Sequence, residues 1–359
     1  MKIDQVAVVP TPEEYKILPI DDHTKMSAIN TCPKWGLIRY GKHLAMPGAG
    51  RAMALEAGEA SHDGFAAVRL YQLLHYSDHP KRRELFERVG VEEFGEDRLA
   101  RMSKVLDNSA TERTNLINFT LEALYSGNFF DDPSDKARTV SNISESLIVY
   151  CDRWDMEKYP VWYSDKTADA KVGIEVRFDL MVTIVVEIHG WEHKAIQSRY
   201  CGKIDGLHWN DKGNVIVHEN KTGARIDDAW LAQWQLSHQI TGYCIACSTM
   251  LEVEALQAHV IGMRIPVGRD LGAAVRKETV NRTPEMINDF FRWLTFTKLL
   301  AEEHEQDVVS APMFTHSCNR YFRPCSFVPL CTAPPEEQRD ILEEMEVQKW
   351  SPLETKVVG

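Results

Sequence analysis

The hydrophobic pattern changes its period at Pro160, and few folds accommodate such a change. Upstream, Leu55, Phe65, Val68, Leu73 and Leu74 recur at roughly helical spacing. Downstream, residues 173–188 are rich in Val and Ile and alternate, as a strand does. Residues 203–209 and 214–221 read as two further strands, and Asp211, Lys212 and Gly213 between them make the turn of a hairpin. Residues 229–250 read as a helix, 253–265 and 273–280 as strands, and 284–305 as a helix. The pattern predicts an α/β fold, a small mixed sheet with helices on both sides.

The rest of the chain is assigned around that core. Residues 26–45 read as a helix after a turn-rich start, and 51–77 as a long helix. Residues 81–150 read as mostly helical, with breaks near Gly90, Gly95, Gly127 and Pro133. The expected organisation is a single domain over 1–359, with a helical insertion at 65–150 and the sheet core with its helix at 172–282. A cysteine-rich segment at 310–335 and an acidic tail at 336–359 follow. The most apolar run, 180–188, contains Thr183 and Glu187, so no segment is expected to span a membrane. The start, MKIDQVAVVPTPEEY, has acids and prolines where a signal peptide needs an unbroken apolar stretch, which predicts a cytoplasmic protein.

The net charge of -12 argues against binding nucleic acid through bulk positive charge, and it is unevenly spread. Residues 336–346 hold six acids and one arginine, whereas 32–43 carry Lys34, Arg39 and Lys42 and no acid. Residues 318–331 carry Arg320 and Arg323, again with no acid.

The chemistry-bearing residues cluster on the hairpin. Glu219 and Lys221 are two apart on a strand and project to one face, while Asn220 points away. Asp205, near the start of the partner strand, is close enough to share a cation with Glu219. Hard oxygen ligands of this kind suit magnesium or manganese. A lysine beside such a metal can orient or deprotonate the attacking water and offset charge on a phosphate. Gly58 and His62 put a histidine on the long upstream helix, and Gln239 and Tyr243 share a face of the helix that follows the hairpin.

In this order, Gly58-x-x-x-His62, Gly202-x-x-Asp205, Glu219-x-Lys221 and Gln239-x-x-x-Tyr243, the chain resembles the RecB-like branch of the PD-(D/E)xK nuclease superfamily. The resemblance implies a restriction-endonuclease-like core and hydrolysis of DNA from an end, on a single strand. It implies that His62, Asp205 and Glu219 bind the metal with the backbone carbonyl of Asn220, and that Lys221 is catalytic. Gln239 and Tyr243 would assist, and Glu175 on the preceding strand ranks below the others.

Eight cysteines in a protein expected in reducing cytosol read as metal ligands or buried thiols before disulfides. Cys318, Cys325 and Cys331 lie in a loop-like segment, and Cys32 near the start of the chain is the natural fourth ligand. One cysteine before the core and three after it is the layout of the iron–sulfur nucleases of that superfamily. These include CRISPR-associated adaptation exonucleases and a subunit of a bacterial break-repair helicase–nuclease. By analogy the four thiolates would hold a [4Fe–4S] cluster, with a structural zinc as the rival. The analogy implies a bacterial or phage-encoded protein, with DNA as partner and a recombination or CRISPR-adaptation protein as a possible second. The closure would join the two ends of the chain and gather Lys34, Trp35, Arg39, Tyr40, Lys42, Arg320, Tyr321, Phe322 and Arg323, a mix of charge and rings that suits single-stranded DNA. Two other readings stand beside the enzyme: a non-catalytic DNA-end-binding or recombination partner on the same fold, and a zinc-stapled scaffold.

Other signals are set aside. Cys244 and Cys247 read as helix packing, Cys151 and Cys201 have no ligand context, and His189 and His193 read as a loop. Gly36-x-x-x-x-Gly41-Lys42 is followed by His43 rather than a hydroxyl residue, so it is not a P-loop. Lys221-Thr222-Gly223 has no Ser-x-x-Lys to accompany it.

Overall fold

The structure is a computed structural model. It describes residues 2–47, 53–107, 109–157, 161–164, 170–188, 192–266, 272–320, 323–349 and 351–353, with the side chains of 154–157, 188, 320 and 323 outside the description. In chain order the main elements begin with strand β1 (Lys2–Pro10), β2 (Ile20–Asp21) and helix α1 (His23–Thr31). Five helices follow: α2 (Met53–Tyr76), α3 (Arg82–Phe94), α4 (Glu96–Lys104), α5 (Glu112–Tyr125) and α6 (Val140–Glu157). Then come β3 (Ile174–Ile188), β4 (Glu192–Trp209), β5 (Val215–Gly223), α7 (His238–Leu251), β6 (Gln257–Arg264), β7 (Ala274–Asn281), α8 (Pro284–His304) and α9 (Pro335–Glu343). The fold is α/β, with a mixed sheet flanked by helices. No described helix is long and apolar enough to cross a membrane.

The chain divides into two compact units. One comprises 1–50, 177–202 and 284–359, and the other 51–176 and 203–283. In the first, β1 runs antiparallel to β3, with Val6 opposite Ile184, and the short β2 runs parallel to β4, with Ile20 beside Arg199. Its core gathers Ile29, Leu37, Ile38, Val308, Ala311, Phe327, Leu330 and Met345. In the second, the end of β4 is antiparallel to β5, β5 is parallel to β6, and β6 is antiparallel to β7. Helices α2 to α6 pack into one apolar core centred on Phe65, Leu70, Leu73, Phe119 and Leu147.

The structure differs from the sequence reading at five places. The start is a strand, not turns: β1 presents mostly exposed residues and, among the described residues, pairs with β3 alone. The helix expected over 26–45 stops at Thr31, because the residue before Pro33 is driven out of the helical region and Cys32 is extended. A short helix and a π-turn over Leu37–Gly41 follow it. Gly90 does not break α3; it gives room to Leu99 and Leu70, which a Cβ there would strike. The strand expected over 203–209 begins eleven residues earlier, so His193 lies in β4 rather than in a loop, while His189 lies outside the described residues. The helix expected over 229–250 is interrupted by a 3-10 turn at Gln233–Leu236 and an extended Ser237 before α7 begins. The pattern break at Pro160 also lies outside the described residues.

Candidate metal centre

Strand register sets the site. Gly206 on β4 faces His218 on β5, so the next pair along the hairpin brings Asp205 opposite Glu219. Directly opposed residues of an antiparallel pair share a face. The Asn220 backbone N–H donates to Asp205 Oδ2 at 2.6 Å, which pins the carboxylate to the neighbouring strand. The Asn220 side chain, one residue out of phase, takes a hydrogen bond from Tyr150 Oη on α6 at 3.0 Å.

Glu219 and Lys221 form an ion pair. The glutamate side chain is 2 % exposed and the lysine 27 %, so the carboxylate lies at the floor of the site and the ammonium nearer its rim. From α7, Gln239 Nε2 donates to Glu219 Oε1 at 3.0 Å and to Tyr243 Oη at 2.9 Å, as the four-residue spacing predicts. Lys221 Nζ lies 5.8 Å from the centre of the Trp234 ring, in the 3-10 turn. From α2, His62 Nδ1 comes 3.4 Å from Asp205 Oδ1.

Glu175, ranked low on sequence grounds, belongs to a compact group of possible ligands: His62, Glu175 and Asp205 each offer a ligand atom within 4.8 Å of the other two. Glu219 is not in that trio. Glu175 is buried, adopts a left-handed backbone (φ 49°) at the start of β3, and pairs with Lys203. Lys203, absent from the sequence reading, sits two residues before Asp205 on the same strand, so strand parity alone could have pointed to it. The two glutamates are arranged alike. Each turns one oxygen to a lysine, and its other oxygen, Oε2 of Glu219 and Oε1 of Glu175, is buried with no hydrogen-bond partner among the described residues. Buried carboxylate oxygens aimed at no donor are costly unless a cation takes them, so this donor set fits a hard divalent ion.

Charge divides the carboxylates. Burial pushes Asp205 up, but the charge and hydrogen bond of His62, the charge of Lys221 and the Asn220 N–H outweigh it and hold the acid at about 2. Burial and the Asp205 charge push Glu219 up to about 7, against the pull of Lys221 and His62. Burial disfavours the ammonium of Lys221, yet Glu219 and Asp205 raise its pKa, so it carries its charge at neutral pH. His62 is likewise raised: Asp205 overcomes the effect of burial.

The glycines of the motifs have different uses. A Cβ on Gly202 would lie 2.6 Å from the Phe178 ring, so this position must be small. A Cβ on Gly58 would make only ordinary contact with Thr222, 3.8 Å away.

The four predicted cluster ligands converge within the first unit. Burial raises the pKa of Cys325, and the nearby thiols of Cys318 and Cys32 add to it. Cys331 is raised by burial, and Cys32, Cys325 and Cys318 add to that against the nearby charge of Lys34. The Cys325 N–H donates to the Cys318 carbonyl at 2.8 Å, closing the loop between them, while Cys32 ends α1 in an extended conformation. Among the described residues, no three of these thiols have their sulfurs within 4.8 Å of one another.

The proposed DNA-contacting residues behave differently from one another. Lys34 is buried and donates to Gln338 Oε1 at 3.1 Å, so its charge is spent on α9 rather than offered at the surface. Trp35 packs against the core and meets Tyr40 edge-on, 6.1 Å between centroids. Arg39 donates to the Gln348 carbonyl at 2.9 Å and lies over the Tyr40 ring. Lys42 is exposed and lines a cavity of about 310 Å³ together with Lys25, Arg199 and Lys298. The side chains of Arg320 and Arg323, and Tyr321 and Phe322 altogether, lie outside the described residues. Cys244 and Cys247 are buried on α7, where burial pushes both thiols well above the usual range, as inert packing residues require.

No protein-family model matches the chain, and no curated protein matches it. Among solved structures, one described as "Crystal structure of SSO0001" aligns at 18 % identity with a TM-score of 0.27, over 45 % of this chain and 59 % of that one. The alignment therefore spans less than two thirds of that protein.

Proposed function

We propose that this chain is a metal-dependent DNA nuclease on a restriction-endonuclease-like core, working in a bacterial or phage-infected cytoplasm on single-stranded DNA ends. His62, Glu175, Asp205 and Glu219 would hold magnesium or manganese, with the Asn220 carbonyl. A single observation carries the reading: two buried glutamates each present one unpartnered oxygen beside an ionised aspartate and a histidine, with a lysine at the rim. A bound divalent ion supplies Lewis acidity and charge neutralisation at the phosphate. The chain does the rest. Asp205, kept ionised by His62 and the Asn220 N–H, maintains negative charge at the floor of the site. Lys221, held as an ammonium, is a preorganised donor to a phosphate oxygen, and Trp234 restricts where it can point. Gln239, anchored on Tyr243, fixes the orientation of Glu219.

Cys32, Cys318, Cys325 and Cys331 would bind a [4Fe–4S] cluster and so close the two ends of the chain on each other. Zinc would hold four thiolates at about 2.3 Å each, hence about 3.8 Å from one another. Zinc on the same four thiolates is the rival reading. A recombination or CRISPR-adaptation protein is the second partner we propose.

The test is anaerobic purification with iron and sulfide analysis, followed by cleavage of 5′- and 3′-labelled single strands in magnesium or manganese. Lys221→Ala should slow cleavage by about 10²–10⁴-fold while circular dichroism and iron content stay at parental levels. Cleavage by that variant at the parental rate, or none by the parent in either metal, would end the nuclease assignment. Zinc without iron or sulfide would end the cluster assignment alone.

A further inference from the structure

Three histidines distant in sequence meet on the sheet of the second unit. His218 on β5 and His259 on β6 are directly paired in the parallel register. His208 on β4 is two residues from Gly206, the antiparallel partner of His218, so it shares their face. All three are buried. Their ring centroids lie 4.1, 5.3 and 5.4 Å apart, and each offers one ring nitrogen within 4.8 Å of the other two. Nε2 of His208 and Nε2 of His218 are 3.4 Å apart. A tetrahedral zinc ion with Zn–N bonds of about 2.0–2.1 Å sets neighbouring nitrogens about 3.3–3.4 Å apart. The observed separation is that edge.

We propose that His208, His218 and His259 form a second metal site, for one zinc or similar borderline transition-metal ion. Three nitrogen donors and no carboxylate select against magnesium and manganese, so the site is chemically unlike the one around Asp205. It is also on the other face of the sheet: Glu219 and Lys221 alternate with His218 along β5. Burial holds His208 at about 2 and His259 at about 4, so both rings are neutral at physiological pH, which is the ligating form. Arg69 and Lys277 place positive charge near the rings, which an anionic fourth ligand would offset. The ion would tie together three adjacent strands, one of which carries the catalytic Glu-x-Lys pair on its reverse. The inference stands whether or not the protein cuts DNA.

The experiment loads the full chain and its His259→Gln and Asp205→Asn variants with Zn²⁺, removes unbound metal by gel filtration and counts zinc per chain. Asp205→Asn should retain one equivalent that His259→Gln lacks. Zinc should raise the melting temperature of Asp205→Asn, and should raise that of the parent by more than that of His259→Gln. X-ray absorption at the zinc edge of loaded Asp205→Asn should report about three imidazole nitrogens, and it needs no histidine variant to fold. Undiminished zinc in His259→Gln, or a first shell without imidazole in Asp205→Asn, would overturn the proposal.

Discussion

Replacing Glu219 by glutamine should stabilise the metal-free protein while disabling it. Glu219 is buried, and burial with the Asp205 charge raises its carboxyl from 4.5 to about 7. A folded-state pKa above the unfolded one means that the folded protein binds the proton more tightly. The acid therefore costs nothing well below pH 4.5, and its cost grows as pH rises through that interval to a plateau above about 7. At 1.36 kcal/mol per pH unit, the full cost is about 3 kcal/mol. For a unit of this size that corresponds to roughly 6–12 °C in melting temperature. Glutamine keeps the oxygen that accepts from Gln239 and carries no charge to desolvate. The assay is thermal unfolding of metal-free parent and Glu219→Gln at pH 5 and pH 8. Part of the cost is already present at pH 5, so the variant should gain on the parent between the two values by about 2.5 kcal/mol, and saturating magnesium should reverse the order by stabilising only the parent. Parallel pH dependences of the two proteins would refute the reasoning, because Glu219 would then titrate normally.

Two further perturbations test packing, one in each unit. Asp21 is buried between Lys25 Nζ at 2.9 Å and Lys298 Nζ at 2.8 Å and accepts from Ser198 Oγ at 2.9 Å. Asp21→Ala leaves two ammoniums without their anion and should cost about 3–5 kcal/mol by urea denaturation. Burial pushes this acid up, but the two lysines outweigh it and lower its pKa below 3.8. Its contribution is therefore complete above that value and disappears as pH falls through the lower, folded one; a variant whose deficit persists unchanged at acid pH would contradict this. Gly206→Ala would drive a methyl into Nη1 and Cζ of the buried Arg69 and to within 2.7 Å of its Nε. Overpacking of this kind costs about 1–3 kcal/mol, and an unchanged urea midpoint would show that the guanidinium can move aside.

The helices of the second unit and the hairpin were legible because their signals are local. The span of α2 follows from apolar spacing, and the β4–β5 turn from Asp211, Lys212 and Gly213. The candidate acids could be found because motif spacing and strand parity are both short-range. What could not be read depends on register between distant segments. His208, His218 and His259 look like three unrelated histidines until β5 is laid parallel to β6. Of the partners of Asp21, Lys25 is four residues on, but Ser198 and Lys298 are far away in sequence and no spacing rule connects them to it. The early part of β4 alternates, with Ile196, Ser198 and Tyr200 inward, but serine among the buried positions weakens the pattern. In β1 the exposed face outweighs the buried one, so its alternation is faint.

Glu175 shows what the candidate site demands of the chain that builds it. A left-handed backbone suits glycine and strains any residue with a Cβ, by roughly 1–2 kcal/mol. Glycine at 175 would relieve that strain and delete the carboxylate that joins His62 and Asp205. Relaxation and ligation are therefore incompatible at this single residue. Selection for a hardier fold alone would be expected to exchange the acid for glycine, so an acid kept at this position would speak for a role other than stability.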